Sequence, residues 1–242
     1  MRARPSFLVR AGLLSVAASG LAGLGGCIGL TELDQQIEKT QEKEDDKARL
    51  AHFEDAAQTY YDGGKYAPPG VQWRRVLELD PNRPKANWGL AKSLAMTGTP
   101  ANLREAEQIF LKIQDWDWSH PTLGDRRHEV LKDFAEVYMQ LADYYDRDVR
   151  SLQEKLEQPN ADGPKLRQQL QEQAQKRNEL LAKAIPLYQE VLARSPDNPY
   201  AIGGLAKANL MAGNDQAGIA YARQYIEISV RSQQSWQQQL ET

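Results

Sequence analysis

The chain repeats one of its own segments, and this repeat restricts the fold more than any other feature of the sequence. Residues 81–98 return 115 positions later as residues 196–213, with the same spacing of proline, alanine, leucine, lysine and glycine. Each copy has two prolines that end one helix and preset the backbone of the next, and a final glycine that allows a left-handed residue. A helix–turn–helix unit is therefore used more than once, and the sequence predicts an array of helix pairs.

Composition excludes several classes of protein. The 242 residues are 41% hydrophobic and 26% charged, which is ordinary for a globular chain of one or two domains. The formal net charge is −3, and because the first 26 residues carry three arginines and no acid, the remainder is more acidic still. An acidic chain without a basic stripe argues against a nucleic-acid partner. The single cysteine, Cys27, excludes an intrachain disulfide.

The N-terminal residues 1–26 have the pattern of a targeting segment. Three arginines precede an apolar run over residues 11–24, which is shorter than the roughly 20 residues of a membrane-spanning helix. Gly25, Gly26 and Cys27 follow directly. This pattern resembles a bacterial lipoprotein signal, and the resemblance implies cleavage before Cys27 and lipidation of its thiol, with two or three acyl chains as a stable anchor. Ile28 in place of aspartate favours the outer membrane, facing the periplasm. The alternative is an ordinary secretory signal with an incidental cysteine.

Residues 27–49 are predicted to be a tether or an exposed helix. The segment is rich in charges of both signs, and Leu33 and Ile37 alone provide no continuous apolar face for packing. We therefore expect weak order here, with the anchor held away from the folded body.

Residues 50–228 resemble tetratricopeptide repeats, whose pattern places aromatic, small and proline residues at fixed spacing across two helices. Four units can be aligned. The positions that carry the resemblance are Phe53, Ala57, Tyr60, Trp73 and Pro81; Trp88, Leu90, Ala91, Ala106 and Phe110; Phe134, Ala135, Tyr138, Ala184, Tyr188 and Pro196; and Leu205, Ala206, Gly213, Ala217 and Tyr221. The resemblance implies an all-α solenoid of about four helix pairs, with residues 229–242 as a polar C-terminal cap. An irregular helical bundle is the alternative.

The third unit contains an insertion of about 37 residues between its two helices. The outgoing arm carries Leu141, Tyr145, Val149, Leu152 and Leu156, and the returning arm carries Leu166, Leu170, Gln173, Arg177 and Leu181. A turn-rich segment, residues 159–164, separates them, and the facing positions keep one constant register. Residues 139–183 are therefore predicted to form an antiparallel coiled-coil hairpin, projecting on the order of 25 Å. A floppy insertion is the alternative. Replacement of residues 141–181 by a short linker is expected to leave the repeats stable.

The sequence contains no recognisable catalytic, phosphate-binding or metal-binding motif, and it predicts neither enzymatic activity nor a cofactor. Asp115, Asp117 and His120 are close in sequence but form a weak candidate for a cation site. Trp116 and Trp118 are interpreted as filling the step between the second and third units, although sugar stacking or peptide binding remains open. The residues expected on the concave face, where tetratricopeptide repeats usually hold peptides, are Lys85, Trp88, Lys92, Tyr200 and Lys207.

These features favour a membrane-anchored, non-catalytic lipoprotein that serves as a scaffold or adaptor for protein partners in the bacterial cell envelope. The alternative is an accessory or regulatory protein that binds cell-wall glycan or peptide fragments through Trp116 and Trp118. A hydrolase lacks a nucleophile and a base at workable spacing. The sequence does not decide whether the arm or the concave face binds the partner. It also leaves the oligomeric state open.

Overall fold

A computed structural model describes the backbone of residues 27–63, 67–120, 124–158 and 162–240, and the side chains of 39–59, 63, 70–119, 125–158 and 162–234. Over this part the helices are α1 (Cys27–Asp62), α2 (Ala67–Leu79), α3 (Pro84–Thr97), α4 (Pro100–Ile113), α5 (Arg127–Leu156), α6 (Gly163–Arg194), α7 (Pro199–Met211) and α8 (Asp215–Leu240). Two short strands, β1 (Ser119–His120) and β2 (Gly124–Asp125), pair antiparallel between α4 and α5. The predicted all-α repeat class is confirmed.

The chain divides into two compact units, Met1–Asp45 and Asp46–Thr242. The predicted signal peptide, residues 1–26, lies outside the described residues, as does the side chain of Cys27. Within the first unit the described backbone, residues 27–45, is the beginning of α1, and the side chains of residues 39–45 are exposed. This is the exposed helix that the charge-rich segment allows. The second unit contains all of the helix pairs.

The prolines and glycines that bound the helices of the internal repeat act as the sequence predicts. Pro84 and Pro199 are the first residues of α3 and α7, where a missing N–H leaves no intrahelical hydrogen bond unmade. Gly98 and Gly213 follow the ends of these helices with φ values of 67° and 80°. Because that left-handed region penalises residues with a Cβ, glycine is the residue that closes both helices.

A close aromatic–glycine contact links α3 and α7 to the helix before each. The Trp73 ring of α2 lies so near Gly89 of α3 that a Cβ there would be 2.4 Å from the indole Cε2. The Tyr188 ring of α6 lies equally near Gly204 of α7, where a Cβ would be 2.4 Å from Cζ. Both members of the second pair lie 115 residues after those of the first. The repeat therefore conserves one three-dimensional contact as well as a sequence pattern.

The core continues from the second helix pair into the third through stacked aromatic rings. Phe110 of α4 and Phe134 of α5 have ring centroids 5.2 Å apart with planes only 14° from parallel, and Tyr138 follows Phe134 at 4.7 Å. All three side chains are buried, as are Ala106 and Ala135. The small residues let the helices approach and the rings fill the space beside them, which is the packing expected of stacked repeats.

The long helices α5 and α6 form the predicted antiparallel hairpin. The residues on the predicted inner face are the less exposed ones on both arms: Leu141, Tyr145, Val149, Leu152 and Leu156 on α5, and Leu166, Leu170, Gln173, Arg177 and Leu181 on α6. Arg177 is accommodated in the seam because its guanidinium donates a hydrogen bond to Asp146 Oδ1 at 2.8 Å. The carboxylate of Asp146 also lies 2.6 Å from Arg150 at the surface.

The base of the hairpin belongs to the core, and this corrects the expectation that residues 141–181 can be removed without loss. Leu141, Ala142 and Leu181 are 0–1% exposed and lie in the main hydrophobic cluster. Arg104 of α4 donates a hydrogen bond to the hydroxyl of Tyr145 at 3.1 Å. The repeats therefore pack against the first turns of the hairpin, and only the part beyond them is free of the core.

Candidate binding grooves

The predicted concave-face residues line two separate grooves within the second unit. Lys85, Trp88 and Lys92 of α3 line the first groove, which has a volume of about 630 Å³. Tyr200 and Lys207 of α7 line the second groove, of about 450 Å³. The structure thus brings the first three residues together and places the other two in another site.

The two grooves are equivalent positions of the repeat. In each, one side is formed by the helix that follows the turn, α3 or α7, and the floor by the aromatic ring of the preceding helix, Trp73 or Tyr188. Gln58 of α1 and Glu136 of α5, which are 78 positions apart, line the opposite sides. Because the backbone sites correspond, differences between the grooves come from their side chains.

Trp88 forms a rigid wall of the first groove. Its indole N–H donates a hydrogen bond to Asp133 Oδ2 of α5 at 2.8 Å, and its ring meets Trp118 edge-on at a centroid distance of 5.7 Å. Lys92 and Arg126 lie over the ring at 5.0 and 5.1 Å from its centroid, within range of cation–π attraction. The wall therefore presents a fixed aromatic side chain between two positive charges.

The floors of the two grooves differ in hydrogen bonding. The Tyr188 hydroxyl donates to Glu136 Oε2 at 3.2 Å, and burial, followed by the nearby negative charge of Glu136, raises the pKa of Tyr188 above its ordinary value. The Trp73 side chain is only 2% exposed, and its indole N–H has no acceptor among the described residues. A buried donor without a partner costs about 1–3 kcal/mol. The second floor is thus internally satisfied, whereas the first floor keeps an unused donor.

Positive charge at the rim of the first groove is partly neutralised. Arg83 forms a two-contact pair with Glu54, whose carboxylate lies 2.5 and 3.1 Å from the guanidinium nitrogens. Lys92 lies 3.7 Å from Asp133. Lys85 is exposed, and none of the described side chains forms an ion pair with it. The rim therefore offers an ammonium group to a ligand carboxylate without first breaking an internal ion pair.

The tryptophans of the loop after α4 are part of the packing. Trp118 is 8% exposed, and its indole N–H donates to the carbonyl of Ile113 at 3.1 Å, so it fills the step between the second and third units as the sequence indicates. Trp116 packs partly against the core under Lys112. A buried, hydrogen-bonded Trp118 does not provide an open platform for stacking a sugar ring.

The acidic residues of the same loop are used locally. Asp117 Oδ1 accepts the backbone N–H of Ser119 at 2.9 Å, and this hydrogen bond lowers the pKa of the Asp117 carboxyl. Asp115 lies 3.7 Å from Arg127 of α5. The His120 side chain lies outside the described residues, and no group of three possible metal ligands occurs among those described.

Sequence reasoning missed several residues that shape the grooves. Asp133, Arg126 and Glu136 come from helix α5 or the loop before it, and no pattern in the sequence marks them as neighbours of α3 or α7. Trp73 and Tyr188 could have been assigned, because they occupy the same place relative to the two copies of the repeat. Their spacing to the glycines was the signal that would have placed both in the floors.

Helix pairs stacked around aromatic–alanine contacts, with grooves between successive pairs, define a tetratricopeptide-repeat-like array. A family model described as a tetratricopeptide repeat matches residues 177–235, and this match supports the repeat class that the sequence predicts. The match spans the second half of α6, α7 and most of α8.

Comparison with solved structures gives distant likenesses. A crystal structure of MamA protein is 15% identical, covers 77% of this chain and 94% of its own, and superposes with a TM-score of 0.36. The assembly chaperone of RpL4, Acl4 (residues 1–338), is 14% identical, with coverages of 74% and 75% and a TM-score of 0.34. No curated protein sequence matches the chain. In the described part of the chain, no helix combines the length and the apolar character needed to cross a membrane.

Proposed function

We propose that the chain is a lipid-anchored scaffold of the bacterial cell envelope, which holds a segment of a protein partner in the first groove. The observation that carries the binding role is the first groove itself, in which Trp88 is fixed between two cations and Lys85 forms no ion pair with the described side chains. Tetratricopeptide repeats work by presenting surfaces to proteins, and that general role fits this geometry.

The chemistry of the first groove favours an extended segment that carries acidic side chains. Its walls combine aromatic surface with the ammonium groups of Lys85 and Lys92, which attract carboxylates. Side chains that bury apolar atoms against Trp88 while a neighbouring carboxylate reaches Lys85 would use both features. The second groove is less suited to this role because Tyr188 and Glu136 already satisfy each other.

Site-specific photo-crosslinking in living cells tests the binding role and separates the two candidate surfaces. A photoreactive amino acid would replace Lys85 in the first groove, Gln169 on the returning arm, or Gln108 on α4 as a control; all three side chains are exposed. We expect one discrete protein adduct from position 85 and none from position 108. An adduct from position 169 alone would assign binding to the hairpin arm instead. The proposal fails if no position yields a protein adduct.

A second variant tests whether the groove acts through its charge and ring. Trp88→Ala removes the wall, and Lys85→Glu reverses the free charge without disturbing any described ion pair. Both variants should reduce the adduct formed from the adjacent exposed position 82, whereas Lys155→Glu, at an exposed position near the end of α5, should leave it unchanged. Equal recovery from all variants would contradict binding in this groove.

The anchoring proposal is supported by the sequence of residues 1–27 and has its own test. Cys27→Ser should leave an unprocessed precursor and abolish labelling with a fatty-acid analogue. Sucrose-gradient fractionation should place the wild-type chain with outer-membrane markers, because Ile28 does not provide the inner-membrane retention aspartate. Normal processing and membrane retention of the serine variant would defeat the lipoprotein assignment while leaving the groove untouched.

A further inference from the structure

An unusual apolar stripe runs along the C-terminal helix α8. Ile219, Ile226 and Val230 are 47%, 60% and 45% exposed. Their spacing of seven and four residues places them on one side of a helix, and the half-buried Ala222 falls between the first two. Three neighbouring branched side chains are therefore left in water along about three turns of α8.

The stripe is not a requirement of the repeat. Helices α4 and α8 begin 115 positions apart, and the residues 115 positions before the stripe, on and just after α4, are Arg104, Leu111 and Asp115. Two of these three are charged, and Arg104 is engaged with Tyr145 of the hairpin. In α8 charged residues are thus replaced by isoleucine and valine, in a helix that has no further helix pair packed after it among the described residues.

Opposite charges flank the stripe on one side. Arg223 and Glu227 lie beside the isoleucines, four residues apart, and both are exposed. Neither takes part in an ion pair within the described part of the chain. A two-fold axis that relates antiparallel helices keeps a flanking residue on the same side of the contact in both copies. Self-pairing therefore places each arginine next to the glutamate of the other copy.

The register of that pairing follows from the stripe. When Ile219 of one helix faces Val230 of the other, Ile226 is level with position 223 of the partner helix and packs beside the aliphatic part of its side chain. In that register Arg223 and Glu227 of opposite copies are offset by only about 1.5 Å along the axis. Apolar contact and two symmetric ion pairs are thus satisfied by one arrangement.

We propose that α8 is a homodimerisation helix that packs antiparallel against α8 of a second copy, through Ile219, Ile226 and Val230, with reciprocal Arg223–Glu227 pairs. The contact is isologous, so it closes on itself and stops at two copies. A pair of helices buries less surface than a standard interface of roughly 1,600 Å², and the dimer is therefore weak and concentration-dependent. This surface is separate from the residues that line the first groove.

Charge reversal on the full chain, purified in detergent, tests the proposal by sedimentation equilibrium over a hundredfold concentration range. The wild-type chain should show a monomer–dimer equilibrium. Arg223→Glu and Glu227→Arg should each raise the dissociation constant by about tenfold or more, because each places like charges together at both ends of the contact. The double variant restores opposite charges and should recover dimerisation to near the wild-type level.

Controls keep the test decisive. Arg167→Glu on the exposed face of α6 should leave the dimer unchanged, and circular dichroism should show the same helicity for all variants, since the substituted side chains are exposed. Ile226→Asp should abolish the dimer. A monomeric wild-type chain throughout the range, a dimer insensitive to both single reversals, or a double variant that fails to recover would each overturn the antiparallel pairing.

Discussion

Two adjacent glycines of α7 should respond oppositely to the same substitution. A Cβ on Gly204 would be 2.4 Å from Tyr188 Cζ, whereas a Cβ on Gly203 would be 3.4 Å from the Tyr225 ring, which is ordinary contact. Both glycines lie inside the helix without a positive φ, so alanine suits the backbone at either position. The difference between Gly204→Ala and Gly203→Ala therefore isolates the close approach of the ring.

The magnitude follows from three contributions. Carbon atoms pack at about 3.5–4.0 Å, so Gly204→Ala requires a shift of more than about 1 Å in a buried site, which costs about 1–3 kcal/mol. Displacement of the Tyr188 ring also breaks its hydrogen bond to Glu136, which is worth about 1.5–3 kcal/mol for a charged acceptor. Because alanine favours the helix by about 1 kcal/mol over glycine, the substitution also gains about that amount of stability. We expect about 3 kcal/mol of destabilisation at Gly204 and about 1 kcal/mol of stabilisation at Gly203.

Thermal and urea unfolding followed by circular dichroism measure this contrast. For a chain of this size the two variants should differ in melting temperature by on the order of 10 °C. Gly89→Ala, at the equivalent place in the first copy, should also destabilise, but by less, because the Trp73 N–H has no hydrogen bond to lose. Equal stability of the Gly203 and Gly204 variants would refute the argument that ring contact fixes glycine there.

Three further predictions concern the hairpin and a buried tyrosine. Arg177→Ala should lower the free energy of unfolding by about 2 kcal/mol, because Asp146 then stays buried with Arg150 as its remaining partner. Arg150→Ala should lower it by less than about 1 kcal/mol, because Arg150 is at the surface. Urea unfolding of the two variants measures this difference. Replacement of residues 149–173 by a Gly-Ser turn should leave the melting temperature within a few degrees of wild type, and a collapse of the helical signal would place the distal arm in the core. Burial and then the charge of Glu107 raise the pKa of Tyr138 to about 12, above the unfolded value near 10, so the free energy of unfolding should fall between pH 10 and 12, and less steeply in Tyr138→Phe.

Helix ends and the hairpin register depend on residues close together in the sequence and were predictable, whereas contacts between distant helices were not. The prolines and glycines that bound α3 and α7 act within one turn of the chain, so their pattern suffices to place the helix ends. The positions at which α5 and α6 face each other were predictable, because an antiparallel hairpin has one register for all its residues. The ion pair of Asp146 with Arg177 was missed, since Asp146 lies one position from the apolar series and looks like a solvent-facing acid.

The candidate groove was predictable only on its α3 side. Lys85, Trp88 and Lys92 follow the helical period from a recognisable turn, but Asp133 and Arg126 reach Trp88 through the packing of α5, which the sequence does not specify. The same limit applied to the arm. Its register was correct, yet the depth to which Leu141 enters the core depends on α4, which lies outside the hairpin.

The two copies of the repeat show how this fold separates stability from recognition. The aromatic–glycine contact and the bounding prolines are kept in both copies, because each is fixed by backbone geometry. At the groove-lining positions between them, Lys85 and Trp88 of the first copy correspond to Tyr200 and Gly203 of the second. Those side chains can change without altering the helix ends or the ring contact, and so the first copy presents Lys85 and Trp88 where the second presents Tyr200 and Gly203, although Lys92 and Lys207 correspond. A binding partner that reads the first groove therefore has no reason to occupy the second, and the stoichiometry of a groove complex should be one segment per chain.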